Sequence, residues 1–235
     1  MLLRTLPLLS DGFEHHVIAL RELGELAPRF AEKGIPVTTV HWSGFLDIAG
    51  YRRLLSETRQ FAPDTIITYL FHADMIGRLF LQPALPLRAK RGNPVPIIPF
   101  LRTTYNHPRY LIARLLEKVT RCFVPRYLAN SEAVKSFYVS EIGVPAEKIT
   151  VIPNGIDTDF FDSIMPDPNL RKSLGIDSDD FVIICVANLH PNKGHRYLLE
   201  AFEQLYRHPE HGEGSRSHSR NLKLLLVGEG TERKN

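Results

Sequence analysis

The sequence predicts an α/β protein built on parallel sheet, and three observations predict it. Short runs of β-branched and aromatic residues alternate with longer amphipathic stretches along the whole chain, the pattern of repeated strand–helix–strand units. Gly, Pro, Asn and Asp gather between the runs, where turns belong. With 235 residues, 43% of them hydrophobic and 23% charged, there is apolar material for a sizeable core.

Taken in order, the opening residues 1–9 read as a fragment of helix. Arg4 and Pro7 interrupt the apolar run, and no small-residue cleavage site follows to make it a secretory signal. Strands are predicted at Phe13 to Leu20, Val37 to His41, Thr65 to Tyr69, Pro96 to Leu101, Arg126 to Ala129 and Ile149 to Ile152, from their β-branched and aromatic content. Helices are predicted between them, at Gly24 to Lys33, Leu46 to Phe61, Ala73 to Leu81, Pro108 to Cys122 and Ser131 to Glu141, from apolar residues at helical spacing. Pro108 sits where a first-turn proline belongs, and Ser131 with Glu132 resembles a capped helix start.

From Asn154 to Asp180 the turn-forming residues crowd together, which reads as a linker. A strand at Phe181 to Ala187, a helix at Gly194 to Tyr206 and a strand at Leu222 to Val227 follow. One such unit cannot close a core alone. The predicted organisation is a first domain over 1–160, a linker over 161–180 and the start of a second domain over 181–235. The polar stretch His208 to Arg220, with three His and two Gly, reads as a solvated loop and not as a metal site, since no cysteine accompanies its histidines.

The net charge of +3 is too small to suggest a nucleic-acid partner. Its distribution is uneven: nine basic residues lie between Arg88 and Arg126 against the single acid Glu117. That run admits three readings: a solvated helix face, a patch for an anionic acceptor, or peripheral attachment to an anionic membrane. Leu111, Ile112, Leu115, Leu116 and Val119 give its helix an apolar stripe opposite Arg114, Lys118 and Arg121, the pattern of a surface helix that turns its stripe inward. Nothing approaches the roughly 18 apolar residues of a membrane-spanning helix. The two cysteines, Cys122 and Cys185, lie in apolar runs and read as buried reduced thiols of a cytoplasmic protein.

Several stretches carry a family resemblance. Ala129-Asn130-Ser131-Glu132-Ala133-Val134, Gly143-Val144-Pro145-Ala146-Glu147-Lys148-Ile149 and Val151-Ile152-Pro153-Asn154-Gly155-Ile156-Asp157-Thr158-Asp159-Phe160-Phe161 follow one another closely. Val186-Ala187-Asn188-Leu189-His190-Pro191-Asn192-Lys193-Gly194-His195 and Leu224-Leu225-Leu226-Val227-Gly228-Glu229-Gly230 come later, and Tyr69-Leu70-Phe71-His72-Ala73-Asp74 with Gly77-Arg78 earlier. Together they resemble the retaining glycosyltransferases of family 4.

The resemblance implies a GT-B fold: a Rossmann-like acceptor-side domain with a parallel sheet, here lacking its first strand, and the incomplete start of a Rossmann-like nucleotide-sugar domain. It implies transfer of a sugar from a nucleoside-diphosphate sugar to a glycan or lipid-linked acceptor, with retention and without metal or other cofactor. The protein would be cytoplasmic or peripheral to the inner face of the membrane. His72 is implied near the transferred sugar. Asn188, Lys193, Gly194, Gly228 and Gly230 are implied on the donor side, and Arg102, Thr103 and Asn106 on the acceptor side. Physics agrees at Lys193 and Gly194, because a lysine before a helix N-terminus suits a phosphate. The family commonly carries an arginine where this chain has Asn188. Its N-terminal strand with a glycine-rich turn and its paired glutamates are not found among the 235 residues, so the chain is expected to be a fragment with little turnover of its own. A non-catalytic remnant or sugar-nucleotide-binding module is the alternative. A dehydrogenase is disfavoured, since no strand is followed by Gly-x-Gly-x-x-Gly with an acid about twenty residues on.

Overall fold

The computed structural model describes residues 2–9, 12–44, 46–82, 95–105, 107, 110–207 and 221–234. Asn106, Pro108, Arg109, the basic residues Arg88, Lys90 and Arg91, and the polar stretch 208–220 lie outside the described residues. The chain divides into two compact units, Met1–Ile156 and Asp157–Asn235.

In the first unit each predicted strand forms, and each is shorter than predicted by residues at one or both ends that lie outside the paired ladder. The strands are β1 Val17–Ala19, β2 Val37–Thr39, β3 Ile66–Tyr69, β4 Ile97–Leu101, β5 Tyr127–Ala129 and β6 Ile149–Val151. All pairings are parallel. β1 pairs with β2, and β3, β4, β5 and β6 form one sheet in sequence order. Helices α1 Leu2–Thr5, α2 Ala27–Ala31, α3 Ile48–Phe61, α4 Phe71–Ile76, α5 Leu111–Thr120 and α6 Glu132–Phe137 connect them. α4 and α6 each run on into a five-residue π turn, Gly77–Leu81 and Tyr138–Ile142.

Local chemistry fixes the helix ends. Asp47 caps α3 by accepting from the Gly50 amide at 2.7 Å and the Ser43 amide at 2.9 Å, which lowers its carboxyl below the usual range. A Cβ on Gly50 would lie 2.5 Å from that carboxylate, so a larger residue there would make the Asp47 side chain shift. The Ser131 hydroxyl accepts from the Val134 amide at 3.3 Å, the cap the sequence predicted.

Two apolar clusters fill this unit. One gathers Leu101, Val124, Tyr127, Ala129, Phe137, Tyr138, Ile142 and Ile149 about β4–β6. The other joins Val40, Trp42, Leu54, Ile76, Leu81 and Ile97, with Ile18 and Ile66 packed against it. Between the unpaired edges of β1 and β3 lies a cavity of about 360 Å3, lined by Val17 and Ile18 on one side and Ile66, Ile67, Thr68 and Tyr69 on the other. A doubly wound sheet in the order 3-2-1-4-5-6 has its first strand at this place.

The second unit has two parallel strands, β7 Phe181–Val186 and β8 Leu222–Val227, paired along six residues, and one long helix, α9 His195–Arg207. The stretch read as linker contains two short helices, α7 Thr158–Asp162 and α8 Leu170–Ser173. Lys223 holds this stretch to β8 by pairing with Asp180 at 2.6 Å, which lowers the Asp180 carboxyl. Among the described residues of this unit only Ile176, Asp180 and His195 are buried, as expected where one strand–helix–strand unit has no further layer.

Two expectations are corrected. Cys122 is exposed and Cys185 only half-buried, because the first lies in the turn that ends the α5 segment and the second in the thin sheet of the second unit. The apolar stripe of α5 faces outward: Leu111, Ile112, Leu115 and Val119 are exposed while Glu117 and Thr120 are buried. Periodicity locates an apolar arc but does not say which way it points. No described helix is long and apolar enough to cross a membrane.

Candidate active site

In an open α/β sheet, ligands gather beyond the carboxyl ends of the strands. In the first unit the register Tyr69↔Phe100 brings the ends of β3 and β4 side by side. His72 leaves the first, exposed in the opening turn of α4, and Arg102 and Thr103 leave the second. The turn into α4 is sharp. Leu70 has φ +71° without being glycine, a conformation that a bulky L-residue holds only when its surroundings fix it. Aromatic rings floor the area: Tyr69 on Phe100 at 5.4 Å, and Phe71 on His72 at 5.8 Å and on Tyr105 at 5.7 Å. The Arg102 guanidinium lies 5.7 Å over the Phe100 ring. The structure thus gathers His72, Arg102 and Thr103 at one sheet end.

Beneath this floor is an ionic cluster that the sequence reading did not single out. Arg78 is fully buried. Its Nε donates to Asp74 Oδ1 at 2.8 Å and its other nitrogens to Asp74 Oδ2, to Glu117 Oε2 at 2.7 Å and to Thr120 Oγ1 at 3.0 Å. Tyr138 donates to Glu117 Oε1 at 3.1 Å, Thr68 to Asp74 at 3.4 Å, and the Tyr127 ring covers the guanidinium at 5.4 Å. Two carboxylates share one cation in a dry site. Burial pushes the Asp74 carboxyl up to about 7, aided by Glu117 and opposed by Arg78. The two carboxylates hold Arg78 charged against its own burial. Burial also raises the Tyr138 and Tyr127 hydroxyls well above the phenolic range. The cluster ties α4, which carries His72, to α5 and α6. The available signals were the Asp74/Arg78 spacing of one helical turn and a lone acid, Glu117, amid basic residues.

In the second unit β7 and β8 end together. After β7, the His190 ring accepts from the Asn192 amide and so caps a short turn, Pro191–Lys193. Gly194 follows with φ +71°, and α9 begins at His195. Asn188 and Lys193 are exposed beside that N-terminus. Gly228 and Gly230 lie in the turn after β8 and meet this loop closely. A Cβ on either would fall 1.9 Å from the Ala187 carbonyl oxygen or 2.2 Å from that of Leu189. Ala187 N donates to Val227 O at 3.0 Å, Leu189 N to Glu229 O at 3.0 Å and Glu232 N to Leu189 O at 3.1 Å. The structure therefore brings Asn188, Lys193, Gly194, Gly228 and Gly230 into one backbone-zipped pair of loops. Among the described residues no group of three or more His, Cys, Asp or Glu is placed to hold a metal.

Comparison with known proteins follows this division. The profile of Glycosyltransferase Family 4 matches residues 7–160, and that of Glycosyl transferases group 1 matches residues 166–235. The lipopolysaccharide 1,2-N-acetylglucosaminetransferase of Salmonella typhimurium is 32% identical over 104 residues, which are 44% of this chain and 24% of that protein. The alpha-monoglucosyldiacylglycerol synthase of Acholeplasma laidlawii is 24% identical over 244 residues, covering 95% of this chain and 54% of its own length. Among solved structures, HepE of Anabaena in complex with UDP and glucose superposes with a TM-score of 0.65 at 21% identity, over 92% of this chain and 53% of that one. A glycosyltransferase from Rickettsia africae gives the same TM-score at 17% identity, over 92% and 52%. The chain thus spans about half the length of the relatives that it matches from end to end.

Proposed function

The chain belongs to glycosyltransferase family 4, and from that premise we propose that the whole protein transfers a sugar from a nucleoside-diphosphate sugar to a glycan or lipid-linked acceptor with retention of configuration. The bond between the anomeric carbon and the diphosphate oxygen breaks, the acceptor oxygen bonds to that carbon and passes its proton to the departing diphosphate, and the nucleoside diphosphate leaves. UDP is the favoured leaving group, since UDP is bound in the related HepE structure.

The observation that carries this reading is the loop of the second unit, where an exposed Lys193 and a left-handed Gly194 precede a 13-residue helix at a strand end. The first turn of the helix, its dipole and a full charge converge where a diphosphate would sit. Asn188 adds a neutral hydrogen-bond donor, and Gly228 and Gly230 hold the facing turn close. In the first unit His72 would hydrogen-bond the transferred sugar or share charge with the leaving group, and Arg102, Thr103 and Asn106 would meet the acceptor. The basic stretch 88–126 would face an anionic membrane on its inner side. Neither a metal nor any other cofactor has a part in this scheme.

The test uses the whole protein with a panel of sugar nucleotides, read as release of nucleoside diphosphate in the presence of acceptor. Lys193→Ala should lower donor affinity by about ten- to a hundredfold, the loss of one charge-assisted phosphate contact. His72→Ala should lower kcat with less effect on donor binding. Binding of a sugar nucleotide without transfer by the whole protein would leave a binding module in place of an enzyme.

A further inference from the structure

The sharp turn before His72 is closed by its own flanks and held from below. At Leu70 a bulky residue keeps φ +71°, which its surroundings must enforce. The Asp74 amide donates to the Leu70 carbonyl at 3.1 Å, and the Thr68 hydroxyl, ahead of the turn, donates to the Asp74 carboxylate at 3.4 Å. Arg78 grips the same carboxylate, its Nε at 2.8 Å, and donates to Glu117 of α5 at 2.7 Å. The left-handed turn is thereby tied to α5 through Asp74 and Arg78.

The loop after β4 reaches the same cluster from its other side. Tyr105, two residues beyond Thr103, is 8% exposed, and its ring packs on Phe71 at 5.7 Å. Its hydroxyl meets that of Tyr138, which donates to Glu117 Oε1 at 3.1 Å. Asp74, Glu117, Tyr105 and Tyr138 surround a cavity of about 20 Å3 that Arg102 and Thr103 also line. The ionic cluster therefore stands beneath both loops of the sheet end and touches each. Stability does not account for such a device, since a buried ion pair is often no better than apolar side chains of the same volume. What it adds is direction: each hydrogen bond fixes a distance and an angle, where apolar packing alone lets elements slide. We propose that Tyr105, Tyr138 and Glu117 are positioning residues, which with Asp74 and Arg78 hold the loop of Arg102 and Thr103 at a fixed spacing from the turn of His72. The inference rests on the reading that these two loops carry the acceptor and the transferred sugar, and it names what sets the gap between those substrates.

Removing Arg78 would endanger the fold, so the test removes single hydroxyls. Tyr105→Phe and Tyr138→Phe keep both rings in the core, and far-UV circular dichroism should match the parent. The His72 ring lies edge-on to Phe71 at 5.8 Å, so its proton resonance reads the tilt of the first turn of α4. In the chain carrying isotope-labelled histidine, that resonance, assigned by its absence from His72→Gln, is expected to move in Tyr138→Phe, although Tyr138 bonds the cluster and not His72. The Tyr105→Phe/Tyr138→Phe double variant should move it no further than the larger single change, because both substitutions cut one chain of contacts. In the whole protein each single variant should lower kcat about three- to tenfold with KM for the sugar nucleotide unchanged. A His72 resonance that stays in place in both folded variants overturns the proposal, and so do shifts that simply add, or an unchanged kcat in an active protein. If the resonance moves as expected and the whole parent protein transfers no sugar, the positioning stands and the transferase reading falls.

Discussion

At the scale of single residues, the first unit turns on Arg78. One guanidinium satisfies two buried carboxylates and a threonine, so removing it leaves two buried acids without their cation. Arg78→Met should cost about 3–5 kcal/mol of stability, measured by urea unfolding of the chain. Asp74 gives the cluster a pH signature. Its carboxyl is raised from 3.8 to about 7, so between these values the folded chain keeps a proton that the unfolded chain has released. The stabilisation from that proton is fully present below the unfolded value and is lost as pH rises through the folded one. Stability should therefore fall with rising pH across this window, by up to about 1.4 kcal/mol per pH unit, and Asp74→Asn should flatten that slope. An unchanged slope in Asp74→Asn would place the proton elsewhere in the cluster.

At the scale of elements, the two zipped loops of the second unit behave as one piece. Gly228 and Gly230 admit the backbone of Ala187 and Leu189 where any Cβ would collide. Gly228→Ala and Gly230→Ala should each destabilise by about 1–3 kcal/mol, while Gly24→Ala, with open space around it, should be neutral by thermal denaturation. This element also shows where the sequence was readable. Strand and helix positions came through because hydrophobic period and turn residues encode them locally. The grouping of Lys193, Gly194, Gly228 and Gly230 came from the family resemblance, and the parallel pairing of β7 with β8 is what brings their loops together. The packing reason for the glycines was not legible, because the carbonyls that they admit belong to a loop some forty residues earlier. The facing of α5 was equally hidden: Glu117 is charged, which reads as solvent-exposed until Arg78, 39 positions away, is known to meet it. Asn106 and the stretch 208–220 lie outside what the structure describes.

At the scale of the whole molecule, the first unit holds two sheets rather than one, and each unit carries a different density of packing. Many large apolar residues are buried in Met1–Ile156 and very few in Asp157–Asn235. Amide hydrogen exchange should accordingly rank β5 slowest and β7 and β8 markedly faster, by mass spectrometry of the chain. The cavity between β1 and β3 has a further consequence, which concerns cooperativity. The strands β1 and β2 touch the larger sheet through side chains alone, with no backbone ladder across the cavity. Trp42, the single tryptophan, sits in the cluster beside them, whereas most of the helices and ladders lie elsewhere. Its fluorescence should therefore change at a lower urea concentration than that at which the β5 amides of the same unit lose their protection, the mark of a unit that opens along a seam before it unfolds.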